Sequence, residues 1–256
     1  MHYPILKDKW SYPSVSDPEV FLEYLKSIGQ GPAERFPSRA VVSYQSSVAK
    51  WVDGEYGLQS SGLSGFDWVG GDEGGVGLFS GFGIGGAATV TALDPAISTG
   101  LTHVVTIGTA GAIDKNLSVG DIVVCNRAIR DEGVSHHYLE PEKYAFCSPS
   151  LSASLQRYLD ETGVPYRTGT TWTTDAVFRE TAEEIRDYQS EGVLTVEMEA
   201  ASVFALGTRR EVEVACLFVV SDLISDLVWK PRFHHKIVQQ QLKTLFQVSR
   251  TVLMQV

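Results

Sequence analysis

The sequence predicts a single α/β domain over residues 1–256, with a largely parallel sheet covered by helices. The first observation is an alternation along the chain of short apolar runs of strand type and stretches with apolar residues at helical spacing. The second is composition, since 43% hydrophobic and 20% charged residues are ordinary for a globular protein with a sizeable core. The third is that no repeat, low-complexity tract or linker divides the chain.

Helices are predicted where apolar periodicity meets suitable end signals. Asp17, Pro18 and Glu19 form a favourable helix start, because Asp accepts from free amides, Pro fits the first position and Glu suits the helix dipole. Gly29 or Gly31 would end this helix. Further helices are expected over residues 87–98, 151–162 (with Ser150 as cap and Gly163 as stop), 181–188, 197–208 and 233–254.

Strands are predicted at the apolar runs that lie between these helices. They are expected at residues 40–42, 76–79, 103–107, 121–125, 193–196 and 214–220. Residues 166–174 are a strand or an extended loop, because they are polar, aromatic and β-branched. Gly108 and Gly111 are expected to end the strand before them. Residues 60–77 are rich in Gly, Ser and Asp, which predicts a loop with room for one hairpin.

Charge and cysteine content argue against several classes of function. The net charge is −10 and no run of Lys or Arg exceeds two, so we expect no nucleic-acid partner. Cys125, Cys147 and Cys216 show no CxxC spacing, which is typical of a reduced intracellular protein. The chain shows no secretory signal and no membrane-spanning apolar window, so we expect a cytoplasmic protein without a membrane partner.

A glycine-rich turn follows the second expected strand. Gly81, Gly83 and Gly86 satisfy GxGxxG, a spacing that lets the backbone approach a phosphate and points helix amides at it. A dinucleotide site also needs an acidic residue at the end of the next strand, and residues 106–109 offer none. This disfavours a dehydrogenase. We expect Gly81 and Gly83 to line a ligand, and Gly85 and Gly86 to permit close packing.

Three segments together resemble the nucleoside phosphorylase and nucleosidase superfamily. They are the glycine turn with residues 104–112 (VVTIGTAGA), residues 196–201 (VEMEAA) and residues 219–222 (VVSD). The resemblance implies cleavage of the bond between a nucleobase and ribose. It also implies a mixed central sheet flanked by helices, a small-molecule nucleoside as ligand, and assembly as a homo-oligomer.

The resemblance assigns ribose and base contacts to particular residues. Glu199 is the predicted ribose-binding residue, since one carboxylate can accept hydrogen bonds from two vicinal hydroxyls. Met198 offers a soft apolar surface to the sugar. Glu197 is either a helix cap or a base-binding residue. Asp222 corresponds to the general acid that protonates or hydrogen-bonds a purine at N7, and its presence favours a purine over a pyrimidine.

Aromatic side chains are expected to stack on the base. Trp172, Val177 and Phe178 fall in the stretch that resembles the base-binding region of the family. Phe178 is the preferred candidate for stacking. For Trp172, packing in the core is an open alternative.

The residues that would bind the attacking group depart from the family pattern. The resemblance implies arginines that hold phosphate or, in the related nucleosidases, a Glu that activates water. Val48 and Thr106 stand at two of these places. Gly83, Gly108 and Thr109 are the substitutes we predict, because amides and a hydroxyl can cradle an oxyanion without Arg.

Three functional hypotheses therefore remain open. Phosphorolysis comes first on family prevalence, with inorganic phosphate as co-substrate and no other cofactor; hydrolysis and nucleoside binding without catalysis follow. Arg130 is either a cation for the phosphate or the partner of a neighbouring carboxylate. No metal site is expected, because adjacent histidines at 136–137 and at 234–235 would point to opposite faces of a strand.

Overall fold

The computed structural model describes residues 6–32, 36–63, 65–69 and 75–256 of the chain. The α-helices of this part are α1 (Pro18–Ser27), α2 (Ser46–Tyr56), α3 (Gly86–Ser98), α4 (Pro149–Thr162), α5 (Ala182–Ser190), α6 (Ala200–Arg210) and α7 (Lys236–Leu253). The strands are β1 (Arg39–Ser43), β2 (Leu58–Ser60), β3 (Phe66–Val69), β4 (Gly77–Phe79), β5 (His103–Ala112), β6 (Ile122–Asp131), β7 (Tyr144–Phe146), β8 (Arg167–Thr174), β9 (Thr195–Glu197), β10 (Glu213–Leu223) and β11 (Lys230–Pro231). Short 3₁₀ helices lie at Lys9–Ser11, Ser135–His137 and Val177–Arg179.

The strands form one mixed sheet that closes on itself in part. β5, β9, β8, β6 and β10 pair in turn, and β10 pairs again with β5, so that these five strands make a ring. β1 pairs with the first half of β5, and β4, β3 and β2 extend the sheet from β1. β3 pairs antiparallel with both β2 and β4, so the glycine-rich stretch contributes two antiparallel pairings where the sequence predicts room for one hairpin. The α/β class and the mixed central sheet flanked by helices are confirmed.

The edge of β5 changes its partner half-way along the strand. From His103 to Ile107 this edge pairs in parallel with β1, and at Gly111 and Ala112 it pairs with β9 instead. β1 and β9 therefore diverge between Ile107 and Gly111. Ligands of α/β sheets bind at such points beyond the carboxyl ends of the strands, because the diverging connections leave a crevice.

β5 and β6 extend furthest beyond the segments that the sequence predicts as strands. β5 continues through Gly108 and Gly111, although these glycines predict its end. A Cβ at Gly108 would lie 3.2 Å from Cδ2 of Tyr44, and one at Gly111 would lie 3.0 Å from Oδ2 of Asp222. The two glycines therefore make space for neighbouring side chains within a continuous strand. β6 also extends beyond its apolar segment, because β7 and β8 pair with its second half.

Most helix ends follow the capping signals in the sequence. The Asp17 side chain accepts a hydrogen bond of 2.8 Å from the N–H of Glu19 at the start of α1. Thr181 and Glu184 form a reciprocal capping box at the start of α5. Gly163 ends α4 in the left-handed conformation that glycine tolerates.

Several helix boundaries differ from the prediction, and the sequence does not predict one of the helices. The residue that precedes α4 is Ser148 rather than Ser150. The helix expected from residue 197 begins at Ala200, because Glu197 is still paired in β9. α2 occupies a segment for which the sequence predicts no helix.

The helices cover the sheet in two layers. α3 and α6 pack against one face, and α2, α4 and α7 pack against the other. The alternation of β5 illustrates this, because Val104 faces the first layer and Val105 faces the second. Among the described helices, none combines the length and apolar character needed to span a membrane.

Candidate active site

A cavity of about 550 Å³ opens where β1 and β9 diverge from β5. The ends of four strands supply much of its wall: Tyr44 and Gln45 after β1, residues 109–111 of β5, residues 196–199 from β9 to the start of α6, and Ser221 and Asp222 of β10. Two connecting segments also contribute to the wall, one with Val177, Phe178 and Glu180 and the other with Leu227, Trp229 and Phe233.

The first group of cavity residues, which we call the glutamate cluster, consists of Glu197 and Glu199 with their partners Thr173 and Gly85. Glu197 accepts hydrogen bonds from Oγ1 of Thr173 at 2.5 Å and from the N–H groups of Glu199 and Ala200 at 2.7 and 2.8 Å. It thus caps α6 from the end of β9. Glu199 accepts a hydrogen bond of 2.5 Å from the N–H of Gly85 in the glycine turn.

Burial dominates the electrostatics of the glutamate cluster. It raises the pKa of both Glu197 and Glu199, because the charged carboxylate loses its hydration. The charge of Glu199 raises the pKa of Glu197 further, while the donated hydrogen bonds act in the opposite direction. The two carboxyl groups therefore hold protons to higher pH than exposed glutamates do. Met198 lies between them in sequence and also lines the cavity.

The second group, which we call the aromatic cluster, consists of Phe178, Glu180, Asp222, Trp229 and Phe233. Both oxygens of the buried Asp222 accept a hydrogen bond, one from Oγ of Ser221 at 2.7 Å and one from Nε1 of Trp229 at 2.9 Å. The ring of Trp229 meets Phe178 edge-on with centroids 6.3 Å apart, and it meets Phe233 in the same way at 6.2 Å. Three aromatic rings therefore follow one another along the cavity mouth.

Glu180 is the second carboxyl group of the aromatic cluster. It lies between the 3₁₀ helix at Val177–Arg179 and the cap of α5. Burial raises its pKa to about 7, and the charges of Asp222 and Glu184 add to the effect. A titration so close to neutral pH is a feature of acid–base groups in active sites.

The side chains around Thr109 are polar but uncharged. Nε2 of Gln45 donates to Oγ1 of Thr109 at 3.3 Å, and both residues line the cavity. Burial raises the pKa of the Tyr44 phenol well above its ordinary value, so this group stays protonated. Val48 in α2 and Thr106 in β5 are buried and lie outside the cavity wall.

The cavity wall carries acidic groups without a matching cation. Among the described residues, it contains Glu180, Glu197, Glu199 and Asp222 but no Lys or Arg. The N–H of Gly85, which a glycine turn would offer to an anion, already binds Glu199. Gly83 has a φ of +111° and is exposed, and neither Gly83 nor Gly108 belongs to the wall.

Two further residues of the predicted site, Trp172 and Arg130, also lie outside the cavity wall. Trp172 is buried against Tyr188, and its Nε1 donates to Oδ2 of Asp131 at 2.9 Å, so the structure places it in the core, the alternative left open above. Arg130 is buried, and its guanidinium donates to Oγ of Ser135 at 2.9 Å and to the carbonyl of Glu140 at 2.6 Å. These contacts hold the guanidinium away from the cavity wall.

Comparison with known sequences decides the family of this chain. The sequence profile of the Phosphorylase superfamily matches residues 73–253. The chain belongs to this superfamily. The resemblance to nucleoside phosphorylases and nucleosidases that the three motifs indicate is thereby confirmed.

Curated members of the superfamily are similar at low identity. The chain is 26% identical over 171 residues to a purine nucleoside phosphorylase of Plasmodium vivax, over 65% of this chain and 69% of the relative. It is 29% identical over 138 residues to a guanosine phosphorylase of Halorubrum lacusprofundi, over 54% of this chain and 57% of the relative. The chain thus spans between about half and two thirds of the length of these relatives.

Solved structures share the superfamily fold over most of the chain. An AMP nucleosidase from Bacteroides thetaiotaomicron aligns with a TM-score of 0.72 and 23% identity, covering 93% of this chain and 98% of that one. A uridine phosphorylase from Vibrio fischeri aligns with a TM-score of 0.70 and 18% identity, covering 87% and 94%.

Several cavity residues are absent from the sequence-based prediction. Glu180 and Trp229 are the most consequential, and Tyr44, Gln45 and Phe233 are also among them. A signal for Glu180 exists, because it lies two residues after Phe178 in the expected base-binding stretch of the superfamily. Trp229 offers a weaker signal, as an aromatic residue in a loop seven positions after Asp222.

Proposed function

We propose that this chain cleaves the N-glycosidic bond of a nucleoside that carries a purine base, with water as the acceptor of the ribosyl group. The observation that carries the proposal is that one cavity combines Glu199 and Met198 with Asp222 and a row of aromatic rings. Its volume of about 550 Å³ suits a small ligand. Membership of the superfamily supports the reaction class.

Ribose binding is assigned to Glu199 and Met198. A carboxylate that lines the cavity can accept hydrogen bonds from both vicinal hydroxyls of ribose. Glu199 is held in place by the amide of Gly85 and by its position as the residue that precedes α6. Met198 lines the same part of the wall and offers apolar contact to the sugar.

Base binding is assigned to the aromatic cluster. Phe178 and Trp229 offer ring faces and edges to a planar base, and Val177 adds apolar surface. Asp222 supplies a carboxylate that can meet the N7 edge of a purine once a proton is present between them. A pyrimidine has no ring nitrogen at the corresponding place, which is why we favour purines.

Water is favoured as the acceptor because the cavity is acidic and has no matching cation. A phosphate dianion needs positive partners, and each hydrogen bond to a charged group contributes roughly 1.5–3 kcal/mol. The described residues of the cavity wall include no Arg or Lys, and the amide of Gly85 is occupied by Glu199. Gln45 and Thr109 can hydrogen-bond a neutral water in this environment.

Phosphorolysis is the second candidate, with inorganic phosphate as co-substrate. The hydroxyl of Thr109 lines the cavity beside the end of β1, where it can donate to an anion. The curated relatives cited above are named phosphorylases, which also favours this reaction. Phosphorolysis on this chain would require a cation from outside the described wall, and the expected homo-oligomer would be its natural source.

Base release decides between these functions. Purified protein is incubated with adenosine, guanosine, inosine and uridine in buffers with and without phosphate, and products are separated by chromatography. We expect a free purine base and ribose at the same rate in both buffers. Release that requires phosphate and yields ribose 1-phosphate would establish the second candidate. Nucleoside binding by calorimetry without release of base would overturn both reactions and leave a binding protein.

A further inference from the structure

The hydrogen bonds of Asp222 disfavour this residue as the proton donor to the base. Its Oδ1 accepts from Oγ of Ser221 and its Oδ2 accepts from Nε1 of Trp229. Hydrogen bonds donated to a carboxylate stabilise its charged form. Both oxygens of Asp222 are therefore already used as acceptors within the protein, so neither is free to present a proton to a ligand.

Glu180 has the opposite environment within the same cluster. In the described part of the chain, its carboxyl group makes no hydrogen bond to protein, and it lines the cavity together with Asp222. Burial and the charge of Asp222 raise its pKa to about 7, with a smaller contribution from Glu184. Of the two carboxyl groups, Glu180 is therefore the one that carries a proton and has it available for a ligand.

We propose that Glu180, and not Asp222, donates the proton to the leaving base, while Asp222 is the charged partner that keeps this proton on Glu180. The inference rests on the proposed N-glycosidic cleavage. As the bond from C1′ to N9 breaks, its electron pair passes to the base, and N7 takes the proton from Glu180. Water forms the new bond to C1′ and releases a proton, which restores Glu180 for the next cycle.

The leaving group provides the first test. 7-Methylguanosine carries a fixed positive charge on its imidazole ring and needs no proton at N7, whereas guanosine does. Glu180→Gln is expected to lower kcat on guanosine by about 10²–10⁴-fold, the usual contribution of a general acid, and to lower kcat on 7-methylguanosine far less. The matched control is Glu183→Gln, an exposed carboxylate on α5 outside the cavity, which should leave both rates unchanged.

The pH dependence of kcat provides the second test. The acidic groups that act on Glu180 are Asp222 on β10 and Glu184 on α5. Glu197 and Glu199 line the same cavity. The wild-type rate on guanosine should fall as pH rises through about 7, because Glu180 then loses its proton. Asp222→Asn removes a charge that raises the pKa of Glu180, so this fall should move to lower pH.

The outcomes separate the inference from the function on which it rests. If wild-type protein releases no base from any nucleoside, the proposed function itself fails. If wild-type protein is active and Glu180→Gln loses the same factor on both substrates, Glu180 binds the base without donating a proton, and the inference is overturned. Asp222 would instead be the proton donor if Asp222→Asn lowered kcat on guanosine far more than on 7-methylguanosine, while Glu180→Gln lowered both by the same factor.

Discussion

The glutamate cluster and the aromatic cluster line the same cavity but are built in different ways. Glu197 and Glu199 are 6% and 7% exposed, and they are anchored by β9, α6 and the glycine turn. Phe178 and Trp229 are 84% and 49% exposed, and they lie on connecting segments. The proposed ribose site is therefore part of the folded core, whereas the proposed base site is formed by surface segments that meet around Asp222.

This difference predicts two kinds of mutational effect. Changes in the glutamate cluster should affect stability and activity together, because its hydrogen bonds also cap α6. Changes in the rings of the aromatic cluster should affect the choice of base and the rate with little loss of stability, since exposed rings contribute little to folding. Loops carried by a rigid scaffold commonly have this role.

After Glu180→Gln, the largest expected effect comes from Glu199→Gln. Glutamine can still accept from the N–H of Gly85, but it lacks the charge that would bind two ribose hydroxyls. Loss of hydrogen bonds to a charged group, at roughly 1.5–3 kcal/mol each, predicts a fall in kcat/KM of about 100-fold or more on ribonucleosides. Steady-state kinetics on guanosine and 2′-deoxyguanosine check this. An equal loss on both substrates would contradict a role in binding the 2′-hydroxyl.

The next largest effect concerns the pH dependence of stability. The pKa values of Glu197 and Glu199 are raised in the folded chain, so between the ordinary Glu pKa and these raised values the folded protein binds more protons than the unfolded one. The free energy of unfolding should therefore fall as pH rises through this window. Urea denaturation at pH 5.5 and 8 measures this fall, and Glu197→Gln should make it smaller.

Glu161→Gln is the control for this experiment, because Glu161 is an exposed residue of α4. It should leave the difference between the two pH values as in the wild type. A wild-type protein that becomes more stable from pH 5.5 to 8 would show that the buried glutamates do not dominate its proton linkage.

A smaller effect is expected from Trp229→Phe. Phenylalanine keeps a ring that can face Phe178, but it cannot donate the hydrogen bond that Nε1 of Trp229 gives to Asp222. Loss of one hydrogen bond to a charged group predicts about a tenfold lower kcat on guanosine. Trp229→Leu should add a rise in KM, because it also removes the ring. Equal kinetics for the two variants would mean that the ring of residue 229 contributes nothing to binding or rate.

The fold was predictable where the sequence pattern is local. The buried strands and most helices follow from apolar runs and caps such as Thr181 with Glu184. The ring closure was not predictable, because it depends on pairings between strands that are distant in sequence, such as β5 with β10. Gly108 and Gly111 illustrate the difficulty, since a glycine in a strand and a glycine at a strand end look the same in a sequence.

The residues of the candidate site also differ in whether the sequence predicts them. Glu197 and Glu199 stand in one short motif, so the superfamily resemblance finds them together. Glu180 and Trp229 reach Asp222 from two segments without regular strands or long helices, and neither spacing nor periodicity links them. The bend that returns Trp229 to Asp222 also includes Leu227 with a φ of +62°, a conformation that sequence rules do not expect for leucine.

The smallest effect is expected from Phe178→Ala. Phe178 is 84% exposed, and its ring lies 6.3 Å from the ring of Trp229 between centroids, so its removal should not change the free energy of unfolding measurably. Stacking on a base contributes about 1–3 kcal/mol when a ring is fully used. An exposed ring should give the lower end of that range, which corresponds to a KM about fivefold higher at unchanged kcat.

Phe146→Ala, which removes an exposed ring on β7 outside the cavity, is the matched control and should leave KM unchanged. The comparison is informative in both directions. A large loss of kcat in Phe178→Ala would mean that the ring positions the base for proton transfer. The aromatic cluster would then be as well ordered in the complex with ligand as the glutamate cluster is in the free protein. An unchanged KM would place the base deeper, between Trp229 and Asp222, beyond the reach of Phe178.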